Sequence, residues 1–273
     1  LKIANAQIEY SGELKENTIT GTFKQGGLEF PMNLSKEKIE KKAVIRPQEP
    51  KKPYSYYSEE VTFQNNKENI SLAGTLTLPK KEGNYPVVIL ISGSGPQNRD
   101  EELVGHKPFL LLSDYFTKNG IAVLRYDDRG VAQSKGEFKT ATSLDFASDV
   151  ESAIAYLKTR KEINKNKIGL VGHSEGGIIA PIVASKSKDV NFIVLLAGVG
   201  IPGDQLLLLQ QELISRVSGV NEVDTKNATA TMKRATEIIR KSTNSEQLKT
   251  DLTNYIKEHS QGPEESSKED YIK

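Results

Sequence analysis

Four apolar runs recur through the middle of the chain: PVVILIS from Pro86, IAVLRY from Ile121, KIGLVG from Lys167 and NFIVLL from Asn191. A continuous apolar run is the mark of a strand covered on both faces, and such strands reach a parallel neighbour only through a long crossover. The segments between them supply it. KPFLLLSDYFTKNG has helical spacing and ends on Gly120, SLDFASDVESAIAYLKTR opens on Ser143 as N-cap, and GGIIAPIVASK forms a third helix. Strands alternating with helices of this length specify an α/β chain, with a mostly parallel sheet between two helical layers.

The flanks differ. EEVTFQN and ISLAGTLTLP alternate with period two and predict a hairpin just before the first buried strand, giving six strands in all. Residues 1–42 read as a small antiparallel β segment, with Lys-Glu-Asn and Gly26-Gly27 as turn chemistry. Pro47, Pro50 and Pro53 mark residues 43–57 as an extended linker, and the α/β core is expected over 58–202. Beyond it, Leu206, Leu209, Leu213 and Val217 predict a helix, and the polar remainder of 203–273 reads as helical too. The longest apolar run, Phe192–Ile201, is far short of the ~20 residues of a membrane helix and is expected as a buried strand.

Composition removes several function classes. Lysines and arginines number 37 against 36 acidic residues, so no global field favours nucleic acid or an anionic membrane. Without cysteine there is no disulfide, thiolate catalysis or Cys-ligated zinc, and three scattered histidines give no metal motif. No cofactor is expected, and neither compartment nor oligomeric state is legible. The chain begins at Leu1, so a cytoplasmic protein and a processed periplasmic or secreted one are equally open.

The chemistry concentrates in Gly172-His173-Ser174-Glu175-Gly176. Gly-x-Ser-x-Gly between a strand and a helix is a nucleophile elbow: the turn lifts the serine above the sheet's C-terminal edge and needs glycines where side chains would collide. Ser174 is therefore the candidate nucleophile. The Gly-rich turn LISGSGPQNRD follows the first buried strand, so the backbone amides of Ser94 and Glu175 are the candidate oxyanion donors. Asp127, Asp128, Arg125 and Arg129 in RYDDRG are expected as a structural ion-pair network. Arg99, Asp100, His106 and His173 are candidates for the wall of the site.

GSGPQNRDEELVGHKPF, VLRYDDRGVAQS, ATSLDFASDV and IGLVGHSEGG together resemble bacterial two-domain esterases of the α/β-hydrolase superfamily, related to the dienelactone hydrolase and prolyl oligopeptidase groups. The resemblance runs from about Tyr57 to Gly200, and TGTFKQGGLEFPMNL is similar to the end of that family's N-terminal domain. It implies carboxylic ester hydrolysis of a small-molecule substrate, through an acyl-enzyme on Ser174, and a helical cap beginning near Gln205. It also implies a histidine base and an acid on loops after two later strands. His173 adjoins Ser174 and points away, His106 precedes it, and His259 and Asp204 do not make a pair. The triad's Asp and His are accordingly expected beyond Lys273, with the sheet truncated after its sixth strand and the piece inactive and unstable alone. A serine peptidase or an acyltransferase would use the same elbow, and a binding module could keep the fold without the triad.

Overall fold

The computed structural model describes residues 1–3, 8–25, 28–36 and 46–259. The Gly26-Gly27 turn, the start of the Pro-rich stretch and the polar segment from 260 to 273 lie outside these. Contacts divide the chain into two units, one of Val44–Gly200 and one of Leu1–Ala43 with Ile201–Lys273.

The Val44–Gly200 unit is an α/β-hydrolase fold. Its strands are β5 (Tyr57–Asn65), β6 (Ile70–Leu78), β7 (Tyr85–Ile91), β8 (Ala122–Tyr126), β9 (Ile163–His173) and β10 (Val190–Leu196). They form one sheet in the order β10-β9-β7-β8-β6-β5. The four apolar runs, β7, β8, β9 and β10, are parallel, while the β5–β6 hairpin joins antiparallel through β6 and β8. Helix α1 (Pro108–Lys118) covers one face, and α2 (Ser143–Thr159) and α3 (Gly176–Ala184) the other.

Side-chain alternation feeds both layers. Val87, Ile89 and Ile91 join the α2–α3 side with Leu124, Leu170, Val150 and Leu157, whereas Val88 and Leu90 pack with Phe109, Val123 and Val171 beneath α1. A run apolar at every position is what two covered faces require. The Pro-rich stretch lies against this unit. Arg46 donates from Nη2 to the Val104 carbonyl at 3.1 Å, and Tyr56 is buried and stacked on Tyr54.

Two expectations are corrected. The Phe192–Ile201 run is not a buried strand: Phe192, Ile193, Val194 and Leu195 are 36–45% exposed. Among the described residues β10 pairs on one side only, with β9, so its apolar sequence sits at a sheet edge. The cap of α2 is Thr142, one residue before Ser143. Asp145 accepts both the Thr142 N–H and its Oγ–H at 2.7 Å, while Ser143 Oγ turns to Glu175.

In the other unit, β1 (Lys2–Ile3), β2 (Ile8–Lys15), β3 (Thr18–Gln25) and β4 (Leu28–Ser35) form an antiparallel sheet in sequence order. Helices α4 (Gly203–Val217), α5 (Glu222–Lys241) and α6 (Ser245–His259) follow the α/β core in sequence. Of the predicted leucine stripe on α4, Leu209, Leu213 and Val217 are exposed and Leu206 is half-buried. No helix among the described residues is long and apolar enough to cross a membrane.

Candidate active site

The sheet order creates the site. From β7 the chain leaves through α1 on one face, and from the neighbouring β9 it leaves through α3 on the other. Adjacent strands whose connections part in this way open a crevice at their C-terminal ends, the usual ligand position in an open α/β sheet.

Ser174 stands in that crevice. β9 ends at His173, α3 begins at Gly176, and Ser174 between them takes φ +51°. A left-handed serine costs roughly 1–2 kcal/mol and persists only where its surroundings impose it. They do so here. Ser174 N–H donates to the Leu196 carbonyl at the end of β10 at 2.9 Å, and its own carbonyl accepts from Gly177 N–H at 2.9 Å. A Cβ on Gly172 would overlap the Gly176 carbonyl, and one on Gly176 would overlap the Ile91 carbonyl of β7. Strand and helix are thus too close for any larger residue at either position.

The turn after β7 lies directly opposite. A Cβ built on Gly93 would stand 3.1 Å from Ser174 Cβ. Three carboxylates hold this turn. Glu101 accepts from Gly93 N–H at 2.7 Å, Asp128 from Ser92 Oγ–H at 2.8 Å and Gln97 N–H at 3.0 Å, and Asp127 from Arg99 N–H at 2.8 Å. Ser94 N–H is left without an acceptor among the described residues, and so is Glu175 N–H at the start of α3. Unused amides on the two loops beside the serine are donors of the kind an oxyanion requires. A small cavity of about 10 Å³ between Gly93, Gly95, Asp128 and Glu175 joins the two loops.

The RYDDRG carboxylates take different environments. Burial would raise Asp127, but two bonds from the Arg99 side chain, at 3.0 and 2.7 Å, hold it below the usual carboxylate range. Burial dominates at Asp128, pushed up to about 7 despite the bonds from Ser92 and Gln97. Arg129 reaches Asp149 on α2 through Nε at 2.7 Å and Nη2 at 2.9 Å. Ion pairs therefore account for Asp127 and Arg129 but not for Asp128.

The wall candidates separate. His173 lies beside Ser174, its Nδ1 2.7 Å from Glu101 Oε1. Arg99 and Asp100 instead line a polar cleft of about 400 Å³, with Arg125, Thr75 and Tyr54, whose lining does not include Ser174. There Asp100 pairs with Arg125, and Arg99 also contacts Glu60. His106 is joined to Leu103 through both backbone groups, and its Nδ1 is buried without a partner among the described residues. Ser174 Oγ accepts or donates no hydrogen bond within the described residues, and no group of three or more potential ligands there could hold a metal ion. Sequence reasoning passed over Glu101. Nothing in the acidic run NRDEE singles it out, since its role follows from φ +50° and its burial.

Comparison with known proteins identifies the family. The family model Hydrolase_4, described as serine aminopeptidase, S33, matches residues 108–257. The esterase EstD of Thermotoga maritima is 27% identical over 67% of this chain and 42% of its own length. A Synechocystis sp. protein named "putative carboxymethylenebutenolidase" is 29% identical over 52% of this chain and 59% of its own. The chain thus spans about half the length of these curated relatives. Among solved structures, an esterase of Pyrococcus furiosus covers 66% of this chain and 62% of its own at TM-score 0.50 and 20% identity, a likeness of fold alone.

Proposed function

The chain belongs to the Hydrolase_4 family, and on that premise we propose that it is the Ser174-bearing part of a serine hydrolase that cleaves carboxylic esters through an acyl-enzyme. One observation carries the reading: a serine forced to φ +51° between strand and helix, with unused amides at Ser94 and Glu175 on the two loops beside it. Ser174 Oγ attacks the ester carbonyl carbon. The charge that develops on the carbonyl oxygen is received by Ser94 N–H and Glu175 N–H, and collapse expels the alcohol. Water then attacks the acyl-enzyme and releases the acid. The attack requires a general base and a group to orient it.

The ester preference is supported by the names of the two curated relatives, and a short-chain ester is the substrate class proposed. The family model's description as a serine aminopeptidase supports a second reading, hydrolysis of an aminoacyl amide at the same serine. We also read β1–β4 as the end of a β-rich domain and α4–α6 as the start of a helical cap.

The test is intact-mass analysis after exposure to a fluorophosphonate, with turnover of p-nitrophenyl acetate and an aminoacyl p-nitroanilide measured in parallel. In protein that includes the triad's acid and base, a single adduct that is absent from S174A is expected, with ester turnover about 10³-fold lower in the variant. Anilide turnover without ester turnover favours the peptidase. An adduct that survives S174A, or wild-type protein with its acid and base that takes none, removes Ser174 from the role.

A further inference from the structure

The buried carboxylate of Glu101 has a role that neither the elbow nor the RYDDRG network explains. We propose that Glu101 is a positioning residue that ties the turn bearing Ser94 N–H to the Ser174 elbow, and so sets the spacing between the two oxyanion donors. The proposal rests on the reading of Ser174 as nucleophile.

Glu101 Oε1 accepts from Gly93 N–H and meets His173 Nδ1, each at 2.7 Å. Gly93 follows β7 and His173 ends β9, so one oxygen joins the ends of the two strands that flank the crevice. The other two carboxylates act elsewhere on the turn. Asp128 holds Ser92 and Gln97, and Asp127 holds Arg99, and neither is bonded to the elbow.

The carboxylate is buried, and no lysine or arginine pairs with it among the described residues. A buried carboxylate is tolerated only where donors replace its water, and these two short bonds are its donors. A carboxylate only accepts, so His173 presents Nδ1–H and its Nε2 is the unprotonated nitrogen when the ring is neutral. Glu101 itself takes φ +50°, a conformation rare outside glycine, and this turns its side chain back onto the loop that precedes it. With Gly93 N–H occupied, the next amide, Ser94 N–H, is the one left for an oxyanion.

The experiment compares fluorophosphonate labelling rates, in protein that includes the triad's acid and base, of wild type, S174A, E101Q and E101A. Hydrogen exchange of the Gly93 amide and the ¹⁵N-detected tautomer of His173 are read on the same samples. E101A strips both donors of their acceptor and is expected to slow labelling of Ser174 about 10²-fold, the usual penalty for misplacing a reacting group by about 1 Å. It should also expose the Gly93 amide and release the Nδ1–H tautomer. E101Q keeps an amide oxygen that still accepts, and is expected to restore labelling to within about tenfold of wild type.

E101A that labels at the wild-type rate overturns the proposal, as does Gly93 protection that survives E101A. If E101A does not fold, H173A removes the elbow half of the tie, and wild-type labelling by H173A overturns the proposal. Wild-type protein with its acid and base that takes no label overturns the nucleophile reading instead. The two failures are told apart because amide exchange and tautomer are measured without any reaction.

Discussion

Asp128 shows how one buried side chain sets a pH dependence. Burial raises its carboxyl to about 7, so the folded chain holds this proton more tightly than the unfolded chain does. Its ionisation therefore weakens the fold. The stabilisation is full below about pH 4 and is lost as pH climbs to about 7, a loss of up to about 4 kcal/mol from this group. D128N removes the titration and keeps an oxygen for one donor, while the Ser92 hydroxyl can rotate to accept from the new amide. Urea midpoints between about pH 5 and about pH 8 should fall more steeply for the wild type than for D128N, and parallel profiles would refute the assignment. At this scale the sequence was legible where sterics speak through residue type. Gly172 and Gly176 announce the tight elbow because only glycine fits against the opposing carbonyls. It was silent where meaning comes from three-dimensional environment. Asp127 and Asp128 are adjacent and chemically identical, yet Arg99 holds one down and burial lifts the other.

Among elements, α2 is fastened to the sheet by one buried polar knot. Arg129, in the turn after β8, spans Asp149 with two bonds, and Asn65 at the end of β5 donates to the same carboxylate at 2.8 Å. Asp149 is 1% exposed, so removing the arginine leaves a buried charge with only Asn65 to satisfy it. R129M is expected to cost about 3–5 kcal/mol in urea unfolding, and adding D149L should recover much of that, because apolar replacement of a whole buried pair is often neutral. A recovery of less than about 1 kcal/mol would mean the knot is worth more than its mutual attraction. The helices and central strands could be read in advance because their apolar periodicity is the packing itself. Two boundaries could not. Thr142 rather than Ser143 caps α2, a choice made by Asp145 and Glu175. β10 reads as buried because periodicity records how apolar a strand is, not whether a neighbour lies beyond it.

For the molecule as a whole, the exposed apolar row on β10 is a predicted contact surface. An edge strand without charge or proline invites pairing with another chain, and Phe192 to Leu195 offers neither. The 273-residue chain is expected to self-associate as its concentration rises, and I193K to suppress this with little change in urea midpoint, as read by sedimentation velocity. Concentration-independent sedimentation of the wild type would count against the edge as a contact surface. The sheet order has a consequence for biosynthesis too. β7 lies between β8 and β9, yet β9 is made only after α1, β8 and α2. A ribosome releasing this chain from its N-terminus must therefore expose one flank of the innermost strand until His173 has cleared the exit tunnel. The serine turn is fixed later still, because the carbonyl that holds Ser174 N–H belongs to Leu196 at the end of β10, so the sheet's centre is complete before the elbow is closed.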